Sequence, residues 1–127
     1  MARILYVDDE PDIRNVIVEE LEECGHTVAQ ANNGSLGVEV AIEFKPEIVL
    51  CDCLMPVMTG PEMIRTLREN RPEFSATPFV MISAYADQAH LDEAKAAGAA
   101  AYLTKPMDFD ELESLVDRLI DEAGQAP

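Results

Sequence analysis

The stretch Ile4-Leu5-Tyr6-Val7-Asp8-Asp9-Glu10 sets the pattern for the whole chain. An apolar run of strand length stops abruptly on acids, and Pro11 then opens a segment of helical periodicity. The same arrangement recurs three times. Ile48-Val49-Leu50-Cys51 ends on Asp52, Phe79-Val80-Met81-Ile82 ends on Ser83-Ala84, and Ala101-Tyr102-Leu103 leads through Thr104 to Lys105-Pro106. Nearly continuous apolar strands alternating with helices imply a parallel sheet covered on both faces. In such a sheet the carboxyl ends of the strands share one edge, and ligands bind there. Residues scattered over the chain therefore meet as three carboxylates, a hydroxyl and an ammonium. That set suits a divalent cation and a phosphoryl group carried on an aspartate.

Between the strands, helical faces follow. Ile13, Val16, Ile17 and Leu21 mark the first, which stops at Cys24-Gly25. Residues 27–31 read as a weaker second strand, and Leu36, Val40 and Phe44 recur at four-residue steps before Pro46. The third strand lies near 47–51. Its Pro/Gly loop runs to Gly60, and a helix carrying Met63, Ile64 and Leu67 comes next. Pro72 and Pro78 bracket a connector. A helix from Asp87 to Ala97 is predicted to end on Gly98 in the left-handed conformation. The fifth strand is expected near 100–103, and Leu112, Leu115, Val116, Leu119 and Ile120 give the last helix the clearest 3.6-residue period. No linker, repeat or second domain interrupts the pattern. We expect one domain over 1–127, with a core of about 2–122 and residues 123–127 as a frayed tail.

Composition narrows the function. The formal net charge of −16 opposes nucleic-acid phosphates and anionic membranes alike, and it permits Mg²⁺ or a partner with a basic face. Most remaining acids, such as Glu19, Glu20, Glu22 and Glu23, read as solvated helix faces. No apolar run approaches the roughly 20 residues that span a bilayer. Acid arrives at Asp8, too soon for a signal peptide, so a cytoplasmic location is expected. The three cysteines, Cys24, Cys51 and Cys53, are an odd set and read as free thiols; Cys51 and Cys53 are assigned to packing. No second Cys/His pair completes a zinc site. His26 and His90 belong to no motif.

Laid out in this order, the chain resembles the receiver domain of bacterial response regulators over about residues 2–122. The resemblance rests on Asp8-Asp9, on Asp52 within Asp52-Cys53-Leu54-Met55-Pro56-Val57-Met58-Thr59-Gly60, on Ser83-Ala84, and on Gly98-Ala99-Ala100-Ala101-Tyr102-Leu103-Thr104-Lys105-Pro106. The family often has aspartate where Thr59 and Ala101 stand. The resemblance implies a flavodoxin-like (βα)5 doubly wound sheet with strand order 2-1-3-4-5. It implies that Asp52 accepts a phosphoryl group from the phosphohistidine of a sensor histidine kinase or a histidine phosphotransfer protein. Asp9 and Asp52 would bind Mg²⁺ directly (Mn²⁺ being the other candidate), Asp8 would bind through water, and the backbone carbonyl of Leu54 would complete the protein's share. Lys105 and Ser83 would contact the phosphoryl oxygens, with the Lys105-Pro106 bond cis. Ser83 and Tyr102 would carry the switch to the surface of helix 4, strand 5 and helix 5, read by a downstream target protein as a monomer or a phosphorylation-dependent dimer. Such a protein catalyses its own phosphorylation and slow dephosphorylation and is otherwise a switch, not an enzyme.

The chemistry fits the residue types. Two carboxylates about 4 Å apart repel by roughly 4 kcal/mol at an effective dielectric near 20, which a cation relieves. Mg²⁺ binds through few carboxylates and keeps waters for substrate oxygens. Taken singly, Asp8 or Asp9 caps the first helix beside Pro11, Ser83 is a strand-end hydroxyl, Lys105 a surface charge and Tyr102 a core aromatic; only the conjunction is specific. An aspartate-nucleophile phosphatase needs a second acid two residues on, where Leu54 stands. A flavodoxin needs a phosphate-cradling loop where Asp8-Asp9-Glu10 stands. The remaining alternative is a non-phosphorylated interaction module with the same fold. Leu54 and Tyr85 flank the approach of water to the phosphorus, and neither activates water, so slow loss of phosphate is expected.

Overall fold

The apolar runs do form a parallel sheet. The structure, a computed structural model, describes residues 2–124. Among these residues, β1 (Arg3–Val7), β2 (Thr27–Ala31), β3 (Ile48–Asp52), β4 (Phe79–Ser83) and β5 (Ala101–Thr104) pair in parallel in the order β2-β1-β3-β4-β5. They are joined by α1 (Pro11–Glu23), α2 (Gly34–Phe44), α3 (Gly60–Asn70), α4 (Gln88–Ala97) and α5 (Phe109–Gly124). This is the flavodoxin-like order expected from the sequence. The chain steps outward from β1 to β2, then crosses back to β3, so the strand order reverses between β1 and β3. Ligands bind at such switch points in open α/β sheets.

Alternation along each strand sorts the core into two layers. Leu5, Val7, Val49, Cys51, Phe79 and Met81 pack against Ala41, Met63, Ile64, Leu67, Ala94 and Ala97 of α2, α3 and α4. Ile4, Tyr6, Ile48, Leu50, Val80 and Ile82 pack against Ile17, Val18, Leu21, Leu112, Val116 and Leu119 of α1 and α5. β1, β3 and β4 are buried almost throughout, while β2 and β5, at the edges, are only partly covered. This agrees with the weak pattern of the second strand.

Two helical faces differ from expectation. In α1 Val18 is buried and Val16 is 55% exposed, because the stripe runs through Ile17, Val18 and Leu21. In α2 the buried positions are Gly34, Gly37 and Ala41, while Leu36 is exposed. The reason is close approach: a Cβ at Gly34 would stand 2.5 Å from the Met58 carbonyl oxygen. Small residues thus define this face, and a search for large apolar residues overlooks it. Phe44, expected on the core face, instead lies under the Arg3 guanidinium, 4.1 Å from its ring centroid.

Helix ends follow local chemistry. Neither Asp8 nor Asp9 caps α1; its N-cap is Glu10, with no side-chain cap, and Pro11 opens the first turn. Thr59, where the family often has aspartate, is the N-cap of α3: Glu62 N–H donates to Thr59 Oγ1 at 3.3 Å and Thr59 N–H donates to Glu62 Oε1 at 3.0 Å. Gly98 ends α4 in the left-handed region (φ 106°), as predicted. Ala123 and Gly124, placed in the frayed tail by the sequence, continue α5, and 125–127 lie outside the described residues.

Candidate functional site

The register of the sheet brings the acids together. Val7 pairs with Cys51, so Asp8 and Asp52, each one residue further on, come side by side at the switch point. Asp52 in turn faces Ile82, and Ser83 pairs with Thr104, which carries Lys105 to the same edge. The amino end of α3 closes in from the other side. A Cβ at Gly60 would stand 2.6 Å from the Asp52 carbonyl oxygen, and Gly60 N–H donates to the Cys53 carbonyl at 2.9 Å. Only glycine allows that approach.

One ammonium serves three carboxylates. Lys105 Nζ lies 3.1 Å from Asp52 Oδ2, 3.2 Å from Glu10 Oε1 and 3.3 Å from Asp8 Oδ2. Asp8 and Asp52 are 1% and 7% exposed, whereas Asp9 and Glu10 face solvent. Asp8 is held on both oxygens: Glu10 N–H donates to Oδ1 at 3.0 Å, and the Tyr6 hydroxyl donates to Oδ2 at 3.2 Å. Burial pushes the Asp52 carboxyl up to about 6; the Lys105 hydrogen bond and charge pull it down, but Asp8 adds to the rise. Burial alone would lower the Lys105 ammonium, yet Asp52, then Asp8 and Glu10, outweigh it and hold the ammonium above its ordinary value. Burial, reinforced by Asp8, likewise drives the Tyr6 phenol far above its usual range, so it remains a donor.

Ser83 and Tyr102 are tied to one peptide neighbour. Ser83 is 1% exposed, and its Oγ accepts the Tyr85 N–H at 3.1 Å; the Tyr102 hydroxyl donates to the Tyr85 carbonyl at 2.6 Å. Tyr85 is half exposed and stacks on His90, with ring centroids 4.7 Å apart. The Lys105-Pro106 bond is cis. Leu54 is 44% exposed at the mouth of the site.

The donor set fits a hard divalent cation. Asp8, Asp9, Glu10 and Asp52 each offer one oxygen, and these lie within 4.8 Å of one another. All-oxygen ligation suits Mg²⁺. His26, Glu113 and Asp117 form a second compact group. There His26 Nδ1 accepts the Ala2 N–H at 3.0 Å, so the other ring nitrogen carries the hydrogen shared with Glu113 at 2.9 Å and is not a free ligand. Cys51 and Cys53 are buried free thiols on the α2–α4 side; burial raises Cys53 to about 11, which agrees with packing. Two further residues contact the site without belonging to a motif: Glu10, on the Lys105 ammonium, and Tyr6, on Asp8. The signal for Tyr6 was its spacing, two residues before Asp8 and hence on the same face.

Comparison with known proteins assigns this arrangement to a class. The chain belongs to the response regulator receiver domain family, which matches residues 4–117. It is a phospho-accepting receiver of two-component signalling. PilH from Pseudomonas aeruginosa is 37% identical over 120 residues, which are 94% of this chain and 98% of PilH. AtoC from Escherichia coli is 36% identical over 118 residues, 93% of this chain but only 25% of AtoC. The crystal structure of the response regulator TrrA from Thermotoga maritima, in complex with Mg²⁺-BeF, superposes with a TM-score of 0.81 at 32% identity, covering 94% of this chain and 99% of TrrA. No helix among the described residues is long and apolar enough to cross a membrane.

Proposed function

We propose that Asp52 is the residue that accepts the phosphoryl group, and that Asp8, Asp9 and Asp52, with the Leu54 carbonyl, hold the Mg²⁺ the transfer requires, Mn²⁺ being the substitute. One observation carries this reading: the Lys105 ammonium stands 3.1 Å from Asp52 and is shared with two further carboxylates at the sheet's switch point. Such a site holds more negative charge than its ammonium balances, and the four acids converge within 4.8 Å. Mg²⁺, when bound, neutralises charge on the acids and on the phosphoryl oxygens.

The chain's own residues do the rest. An Asp52 carboxylate oxygen forms the bond to phosphorus as the phosphorus–nitrogen bond of a phosphohistidine breaks, and the imidazole leaves. The donor is a sensor histidine kinase or a histidine phosphotransfer protein. Lys105 follows the new phosphoryl oxygens, giving up its share in Glu10 and Asp8. Ser83 already accepts the Tyr85 N–H, which leaves its own hydrogen to donate to a phosphoryl oxygen. Movement of Ser83 drags Tyr85, and the Tyr102 hydroxyl bonded to the Tyr85 carbonyl goes with it. The added charge of about −1.5 to −2 thereby biases the surface of α4, β5 and α5, which a downstream target protein reads. In this reading the domain lies in the cytoplasm, phosphorylates itself from small donors and loses the phosphoryl group slowly.

The test is intact mass after incubation with Mg²⁺ and acetyl phosphate or phosphoramidate, beside Asp52→Asn. Wild type should gain one phosphoryl group, about 80 Da, and the variant none. No gain from any donor, together with no Mg²⁺ binding, would leave a receiver fold used only for protein interaction.

A further inference from the structure

We propose that the Tyr6 hydroxyl is a positioning group of the acid site, fixing the Asp8 carboxylate in the orientation that the cation and Lys105 use. The inference rests on the reading of Asp8 as a cation ligand given above. Residues two apart on a strand share a face and stand about 6.6–7 Å apart along it. A tyrosine ring bridges that distance and sets its hydroxyl against the carboxylate; Val or Ile is too short, and Phe arrives without a donor. Tyr6 is 1% exposed among the side chains of the α1/α5 layer, and its hydroxyl donates to Asp8 Oδ2 at 3.2 Å. A buried phenol hydroxyl needs a partner, and this one ends on a carboxylate of the site.

The two other donors to the Asp8 carboxylate explain why this contact has a role beyond packing. Glu10 N–H donates to Oδ1 at 3.0 Å, so each Asp8 oxygen has one neutral, structurally fixed donor. Lys105 is the third partner, and it is shared with Asp52 and Glu10. When the ammonium follows a phosphoryl group, the Tyr6 hydroxyl and the Glu10 N–H still fix the plane of Asp8. Outer hydrogen bonds of this kind orient metal-binding carboxylates, and losing one typically weakens metal affinity 10- to 100-fold, roughly. Packing alone would be served equally well by phenylalanine.

Tyr6→Phe separates the two roles. Mg²⁺ binding is titrated by isothermal calorimetry on wild type and variant, with thermal unfolding followed in parallel. The expected result is a Mg²⁺ dissociation constant about tenfold weaker in the variant. Acetyl phosphate labelling should need correspondingly more Mg²⁺ but reach the wild-type rate at saturation. An unchanged dissociation constant overturns the proposal, whatever happens to the unfolding midpoint. A crystal structure of the wild type with Mg²⁺ bound should keep the Tyr6 Oη to Asp8 hydrogen bond, and its absence would also overturn it. Failure of the wild type to bind Mg²⁺ defeats the acid-site reading before Tyr6 is touched; binding by wild type with no change in the variant defeats only this inference.

Discussion

Two cations are drawn into this protein, and they are held by opposite chemistry. Lys105 sits among three carboxylates. Arg68 sits among backbone carbonyls: Nη1 donates to Phe74 O at 3.0 Å and Ser75 O at 2.9 Å, and Nη2 donates to Thr77 O and Gly98 O, both at 3.1 Å. Its guanidinium also lies over the Phe79 ring, 4.8 Å from the centroid. Burial lowers the Arg68 ionisation, while the excess of acid raises that of Lys105. The carbonyls are fixed by the chain and have no other charge to turn to, so Arg68 staples the α3–β4 connector to the end of α4. The carboxylates can exchange one cation for another, so Lys105 is free to move when charge arrives. A planar fork suits the first task and a point charge on a flexible stem the second.

The comparison can be broken by exchanging its terms. Arg68→Ala removes four hydrogen bonds to carbonyls that are exposed or only part-buried, together with the contact over Phe79, and should cost about 2 kcal/mol of stability while phosphorylation by acetyl phosphate stays near wild type. Lys105→Met should do the reverse, slowing phosphorylation about 100-fold or more with a smaller stability loss that Mg²⁺ repairs. Urea unfolding with and without Mg²⁺, beside labelling rates, reads both. If Arg68→Ala abolished labelling in folded protein, the division into staple and mobile charge would be wrong.

Smaller effects sharpen the account of the acid end. Leu54 and Tyr85 are half exposed at the site's mouth and offer water no base. Leu54→Asn with Tyr85→Glu should speed loss of phosphate about tenfold, equivalent to ~1.4 kcal/mol in the barrier, followed by the decay of the phosphorylated mass. An unchanged decay would remove these two residues from the argument.

Asp52→Asn should stabilise the Mg²⁺-free protein at pH 7 by on the order of 1 kcal/mol, since a rise of about two pK units corresponds to at most ~3 kcal/mol before solvent screening. The sign follows from proton binding: the folded-state value of about 6 lies above the ordinary 3.8, so the native state holds the extra proton in between. The Asp52 contribution to stability therefore falls as pH rises from about 4 to about 6, and this part of the slope should vanish in Asp52→Asn. Parallel urea titrations across that range decide it; identical slopes would show that Asp52 titrates normally.

The smallest effect is expected at Val57, which adopts φ 73° in the loop beside the site and is 81% exposed. A β-branched residue is strained there. Val57→Asn should stabilise by about 0.5–1 kcal/mol, measured by the unfolding midpoint, with labelling unchanged.

Features set by one segment are legible in this sequence, and features set by the meeting of two elements are not. Apolar runs ending at Asp8, Asp52, Ser83 and near Lys105 mark four strands and the one edge at which these groups meet, because a buried parallel strand must be apolar on both faces. The core face of α2 is not marked by large apolar residues, because its contacts are made by Gly34, Gly37 and Ala41, whose small size is what the packing needs. Arg68 gave no signal, since its acceptors are backbone carbonyls that every residue possesses. Tyr6 lies within an apolar strand run; its spacing puts it on the face of Asp8, and only the folded structure shows its hydroxyl donating to Asp8 Oδ2 at 3.2 Å.

By itself the sequence determined the βα alternation, the family and the residues of the acid edge, because periodicity and residue type act locally along the chain. The tertiary structure alone decided which charge meets which. Lys105 reaches an aspartate 53 residues away through the register of β1, β3, β4 and β5. Arg68 likewise reaches Gly98, 30 residues on, through the packing of α3 beside α4. Hydrogen bonds and ion pairs act over a few ångströms in space, and no spacing along the chain records a distance that only folding creates.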